Sequence, residues 1–291
     1  MVILVLALFL GGCNPREAWN DLKNLKFIQK PPMPANTIPQ NATNETNTTI
    51  IYLPEEPISV ENGTHIFIAS NSVLIIKDNL TYLIDSPKDN FRMLQLITDL
   101  KRSEMEFIIA TIDKEEHIGG IPNIVIQSPP KLIYDNGIDN EYRVMYRYRL
   151  DRYNTYWNRT STIYHPFLDD FQESGFNFVV PYSRGLSAIK EENSIVVYTD
   201  RFLYMSDCYG ECDKNIPPIT TRYLILANEG KCPTNSFDFI LGTRAEYVVG
   251  NEICQSLKEE MDLIGIKQML IGENGVIHII AGVDKDEIKR I

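Results

Sequence analysis

The sequence predicts a mixed α/β domain with layered sheets, and three observations carry that expectation. Short β-rich runs begin after Ile50, and segments with apolar residues at helical spacing stand between the later runs. Of the 291 residues, 44% are hydrophobic and 23% charged, an ordinary globular composition. About 250 residues bury a full core without metal or disulfide staples, so a small disulfide-held scaffold is excluded. The chain carries 28 Lys and Arg against 39 Asp and Glu, a net charge of −11. Binding to a polyphosphate backbone relies on clustered Lys and Arg, so the balance argues against nucleic-acid attraction over the whole surface.

Val2 to Leu10 form an uninterrupted apolar run, far shorter than the ~20 residues of a spanning helix, and it ends in Leu10-Gly11-Gly12-Cys13. Residues 1–13 therefore read as a secretion signal. Small residues directly before a cysteine resemble a prokaryotic lipobox, in which Cys13 becomes the lipid-modified first residue and holds the chain at the outer face of the membrane. No Lys or Arg precedes the run, and a plain cleaved signal is the other reading. Pro31-Pro32-Met33-Pro34, Pro39 and the Asn/Thr repeats that follow lack apolar periodicity. Residues 14–50 are expected to be a disordered Pro/Asn/Thr-rich stalk. N-glycosylation sequons begin at Asn41, Asn44, Asn47, Asn62, Asn79 and Asn158, which fits an exported glycoprotein and, with the lipobox, an archaeon. A merely polar linker is the plainer reading of the cluster.

The globular domain is expected over residues 51–291. Ile66-Phe67-Ile68, Val73 to Ile76, Thr81 to Ile84 and Phe107 to Ala110 read as strands, and Asp78-Asn79 suits a hairpin turn. Phe91, Leu94, Leu96, Ile97 and Leu100 mark a helix feeding the strand at 107. A later block brings strands at Ser194 to Tyr198, Phe202 to Met205, Tyr223 to Leu226 and Phe237 to Leu241. A helix at Glu252 to Ile264 and strands at Gln268 to Ile271 and Val276 to Ile280 close it. No internal repeat is visible. Five cysteines are an odd number; with Cys13 as the anchor, Cys208, Cys212, Cys232 and Cys254 make an even set in an oxidising compartment. Two disulfides are the default and three pairings stay open. A zinc site is the rival, but Cys208-x3-Cys212 lacks a second matched pair.

In order and spacing, Val73-Leu74-Ile75-Ile76, Leu83-Ile84-Asp85-Ser86, Ile108-Ile109-Ala110-Thr111 and Glu116-His117-Ile118-Gly119-Gly120 resemble the metallo-β-lactamase fold. Phe202-Leu203-Tyr204-Met205-Ser206-Asp207 looks like the strand that carries the bridging aspartate. The nearest likeness is to the hydrolase domain of ComEC-type competence proteins, over residues 60 to 282. The resemblance implies a four-layer αββα sandwich and one or two metal ions, usually zinc, that activate water.

The family's loop, Thr-His-x-His/Asp-x-Asp-His-Ile-Gly-Gly, here reads Thr111-Ile112-Asp113-Lys114-Glu115-Glu116-His117-Ile118-Gly119-Gly120. Ile112 has no lone pair and Lys114 is cationic. Glu116, His117 and Asp207 match a residual ligand set, and Asp85 matches the aspartate that orders the loop. The family's late His-His-Gly is expected near Leu241-Gly242-Thr243, where no histidine stands. Of the four histidines, His65 and His278 lie in strands and read as structural, while His165 falls in a loop and is a remote ligand candidate. Lys114 is expected to replace the metal's charge by neutralising Glu116 and Asp207, with a solvated loop at Lys114-Glu115 as the other reading. Gly119 and Gly120 are expected to allow close backbone packing.

Within residues 141–160, Arg143, Tyr146, Arg147, Arg149, Arg152 and Trp157 belong to an arginine and aromatic interleave. Packing of one helical face is the plainer reading, and a patch for nucleic acid or glycan the functional one. The chain therefore reads as an exported, membrane-anchored protein with a degraded metal site and no cofactor, acting as a binding or structural module. The alternatives are a ComEC-like phosphodiesterase with one zinc ion at Glu116, His117 and Asp207, and a cell-surface adhesion glycoprotein.

Overall fold

In the antiparallel meander of β1 (Thr64–Ala69), β2 (Ser72–Lys77) and β3 (Leu80–Ile84), Thr64 lies opposite Lys77 and Val73 opposite Ile84. Asp78 and Asn79 join β2 to β3 with φ of 51° and 64°, the pair of left-handed residues that a tight type I′ turn requires and short polar side chains tolerate. The structure is a computed structural model. It describes residues 60, 63–88, 91–112, 114–135, 163–166, 170–179, 194–272, 275–282 and 285–291. Cys13, Asn41, Asn44, Asn47, Asn62, Asn158 and the whole 141–160 stretch lie outside them.

Helix α1 (Phe91–Asp99) carries the chain to β4 (Met105–Ala110), parallel to β3. Helices α2 (Glu115–Ile118) and α3 (Ile121–Gln127) lead to β5 (Pro130–Asp135), and β6 (Ile163–Pro166) extends the parallel set. The second sheet repeats this scheme. Strands β7 (Phe171–Glu173), β8 (Phe176–Val179), β9 (Val196–Tyr198) and β10 (Phe202–Tyr204) pair antiparallel. Parallel β11 (Tyr223–Ile225), β12 (Tyr247–Gly250) and β13 (Lys267–Leu270) follow. Their connections hold α4 (Glu211–Lys214), α5 (Phe237–Thr243) and α6 (Gln255–Ile264). Finally β14 (Ile277–Ala281) returns to the first sheet beside β1, with β15 (Glu287–Arg290) at its edge. The same strand scheme thus occurs twice in a sequence with no visible repeat.

Alternation along the strands sorts the core into three layers. Ile66, Ile68, Tyr82, Phe107, Phe178, Tyr204 and Tyr223 fill the space between the sheets. Phe67, Leu74 and Leu83 face the other way and pack under Met93, Leu96 and Ile97 of α1 and Ile121 and Ile124 of α3. Leu203, Leu224 and Val248 do the same beneath Ile240 of α5 and Leu257 and Met261 of α6. The four layers are helix, sheet, sheet and helix. At roughly 1.5 to 3 kcal/mol per large apolar side chain, these clusters hold the sandwich together.

Three expectations need correction. Phe237–Thr243 is helix rather than strand: Ser236 caps it by accepting from Phe239 N, and a short apolar run cannot by itself separate the two states. Phe91, counted among the apolar residues that mark its helix, is 74% exposed because it stands at the helix's first position, ahead of the face that begins at Met93. His165 lies in β6, parallel to β5, and not in a loop. His65 and His278 are buried on adjacent strands with His65 Nδ1 and His278 Nε2 3.0 Å apart, and Phe67 stacks on His278 at 4.1 Å. The cysteines pair as Cys208–Cys212 and Cys232–Cys254, which leaves no free thiolate pair among them for zinc.

Candidate functional site

Strands β3, β4 and β10 end on the same side of the sandwich, and the residues just past their ends meet there. Asp85 follows β3 with a left-handed φ of 54°, which turns its carboxylate inward while its N–H still donates to Ile109 O at 2.8 Å. The carboxylate is fully buried and collects four donors. Thr111, first after β4, donates from its backbone N to Oδ1 (2.7 Å) and from its hydroxyl to Oδ2 (2.5 Å). Tyr204 of β10 donates to Oδ2 at 2.8 Å, and His117 Nδ1 donates to the same oxygen at 2.7 Å. Ser206 Oγ, 2.5 Å from Thr111 Oγ1, ties the end of β10 to the end of β4, so the site spans both sheets.

His117 is brought in by the short helix α2. Its N–H donates to Lys114 O, and its own carbonyl accepts from Ser86 N. Gly120 makes this approach possible: a Cβ there would lie 2.3 Å from Pro87 O, so the close packing expected of Gly119 and Gly120 is a steric requirement. On its far side the ring donates from Nε2 to Asp207 Oδ1 at 3.2 Å. Lys114 Nζ reaches the other oxygen of Asp207 at 2.6 Å, with 32% of its side chain exposed.

The charges in this chain of contacts cancel. Burial pushes the His117 pKa down, but Asp85 first and Asp207 second override it and raise it to about 10. The ring is thus an imidazolium with both nitrogens donating. Burial would lift Asp207, yet His117 and then Lys114 hold its carboxyl well below the usual range. Burial and the neighbouring Asp85 push the Tyr204 phenol well up, so it stays a donor. Two carboxylates face two cations.

Four of the residues singled out by sequence, Asp85, Lys114, His117 and Asp207, are brought together. Glu116 is not: its side chain is exposed, its carboxylate takes no ion pair among the described residues, and only its backbone O takes part, accepting from Asn71 Nδ2 at 3.4 Å. The loop expected at Leu241-Gly242-Thr243 is the end of α5. The strand beside β10 is β11, and the loop after it, Leu226 to Gly230, touches the site through Asn228 N donating to Ser206 O at 3.1 Å. No histidine stands there. Glu229 occupies it instead, accepting from Ser70 Oγ at 3.1 Å and Lys231 Nζ at 2.6 Å. Tyr204, Thr111, Ser206 and Asn71 were missed as site residues. The only signals were positional: Thr111 opens the loop motif and Ser206 precedes Asp207.

These residues do not fit a zinc ion. Ile112 is 3% exposed and has no lone pair, both ring nitrogens of His117 already face carboxylates, those of Asp85 and Asp207, and an ammonium sits against Asp207. Among the described residues no group of three or more His, Cys, Asp or Glu is placed to hold a metal.

Neither a family model nor a curated protein matches the chain. Solved structures do. The metallo-β-lactamase-fold protein YhfI of Bacillus subtilis aligns with a TM-score of 0.50 at 12% identity, over 75% of this chain and 100% of that one. A diphosphatase of the PhnP family aligns at 0.46 and 17% identity, over 69% and 81%. A metallo hydrolase, Igni18, of the archaeon Ignicoccus hospitalis aligns at 0.44 and 11%, over 76% and 100%. With its two stacked mixed sheets, its helical outer layers and its YhfI-like arrangement, the chain has the metallo-β-lactamase fold.

Proposed function

We propose that the chain is exported, held at the outer face of the membrane through Cys13, and that its domain works as a binding or structural module without hydrolysing a substrate. One observation carries this reading: Asp85 and Asp207 are already balanced by the His117 imidazolium and the Lys114 ammonium. A hydrolase of this fold needs a divalent ion to make a nucleophile of water. Here side chains supply that charge, and taking one of them away strands a buried carboxylate. Two disulfides among four cysteines support an oxidising compartment, in keeping with the signal at residues 1–13 and a glycosylated stalk. The contact proposed for a nucleic acid or glycan is Arg143, Tyr146, Arg147, Arg149, Arg152 and Trp157. Its support is the arginine and aromatic interleave, and unchanged binding after Arg147→Glu with Arg149→Glu would remove it.

The test is elemental analysis after expression with zinc, with assays on phosphodiester, thioester and β-lactam substrates. No retained metal and no turnover are expected. About one zinc per chain that is lost on His117→Ala would overturn the reading. A mononuclear hydrolase is the second reading, favoured by the 3.2 Å contact of His117 and Asp207. It requires Glu116 to swing inward and His117 to lose a proton.

A further inference from the structure

Asn79 is the one sequon asparagine within the described residues, and the fold presents it openly. It shares the tip of the β2–β3 hairpin with Asp78, and Asp78, Asn79 and Leu80 are all exposed. Arg102 Nη1 donates to Asn79 Oδ1 at 2.7 Å and lies 3.4 Å from the Asn79 backbone oxygen, which turns the oxygen edge of the amide toward the protein. The other edge, Nδ2, donates to nothing among the described residues. Beside it Leu80 leaves 43% of an apolar side chain in water, while Thr81, the third residue of the sequon, is 3% exposed and faces Ile76 across the hairpin. The tip lies at the opposite end of β3 from Asp85. An adduct there leaves the charged site uncovered.

We infer that Asn79 is an N-glycosylation site, modified before the hairpin closes and displayed afterwards by the turn. This rests on the export reading. The donor is an oligosaccharide carried on a lipid pyrophosphate. The bond from the sugar's anomeric carbon to the pyrophosphate oxygen breaks, a bond from that carbon to Asn79 Nδ2 forms, the lipid pyrophosphate leaves with the electron pair, and an amide proton passes to a base. The sequon works through its threonine, and Thr81 is out of reach once β3 has paired with β2, so transfer must precede folding. The finished turn loses nothing by it: the Oδ1 acceptor for Arg102 is kept and the glycan projects from an unused N–H while covering Leu80.

The test is expression of the full chain in a glycosylating archaeal host and fragmentation mass spectrometry of the tryptic peptide spanning residues 78–88. A glycan on Asn79 that disappears in Asn79→Asp, a residue that keeps the left-handed turn, is expected. An unmodified Asn79 peptide from a chain whose Asn41, Asn44 or Asn47 carries glycan would overturn the inference and leave export standing. A chain retained in the cytoplasm, shielded from protease added to intact cells, would overturn both. Folded, unmodified chain offered the same donor and transferase is expected to stay unmodified; equal occupancy would overturn the order of events.

Discussion

Asp85 holds four donors from three parts of the chain, so it is the side chain whose loss should matter most. Asp85→Asn keeps the volume but removes the charge opposite His117, and a cost of about 3 to 5 kcal/mol is expected in urea unfolding. Lys114→Met should cost less, about 1 kcal/mol, because a third of the Lys114 side chain is in water and screened. The same residues set a pH dependence. The His117 pKa of about 10 lies above the ~6.5 of an unfolded chain, so its contribution is complete below pH ~6.5 and is lost as pH rises through about 10. His278 runs the other way: burial, then His65 and Lys289, lower it to about 4, so stability falls as pH drops from ~6.5 through about 4. Chemical denaturation across pH should show a maximum near neutrality, and Asp85→Asn should flatten its alkaline side. Asp85, Lys114, His117 and Asp207 were legible in the sequence because each falls in a spaced motif that resembles the metallo-β-lactamase fold, in the segments that follow β3, β4 and β10. Tyr204 was not, because a phenol inside Phe202-Leu203-Tyr204 reads as core until the tertiary fold places Asp85 against it. Glu116 misled for the converse reason, since a position in a motif does not say which way a helical side chain points.

At the level of elements, strands that form continuous β-branched and aromatic runs were readable even when short, as Phe202–Tyr204 and Tyr223–Ile225 are, and two others were not. β12 and β5 escaped, the latter because Pro130–Asp135 opens on a proline, which weakens a strand signal. Helix α5 hid behind an apolar run whose helical state depends on its Ser236 cap. Ser236→Ala is therefore expected to lower stability by about 1 kcal/mol in denaturant unfolding. The two sheets are also joined far from the candidate site. Buried Asp286, in the β14–β15 loop, accepts from Tyr223 Oη at 2.7 Å, pairs with Arg222 Nη1 at 3.1 Å, and lies 3.4 Å from Arg201 Nη1. Sequence could not show this clamp, because Asp286 stands more than sixty residues from each of its partners and meets them only when β10 and β11 have stacked against the first sheet.

For the whole molecule, the mixed α/β class followed from strand and helix patterning and the four-layer order from the resemblance to the metallo-β-lactamase fold, whereas the doubled strand scheme followed from neither, since two halves with the same path share no recognisable sequence. Metal should have no purchase on stability: saturating zinc is expected to leave Tm unchanged, whereas a protein that binds it only when folded would gain. The Cys232–Cys254 bridge closes a loop between residues 22 apart, and replacing both cysteines with serine should cost about 3 kcal/mol, read as a lowered Tm. The path of the chain carries one more consequence. β1, near the start of the domain, takes β14 as its second neighbour, and β14 begins only at Ile277. Until residues 277–291 have left the ribosome, the first sheet has a bare, strongly apolar margin along Ile66-Phe67-Ile68, the kind of edge that recruits other chains. A polypeptide that lacks β14 and β15 should therefore aggregate rather than fold, because β1 is left with one neighbour and an open edge.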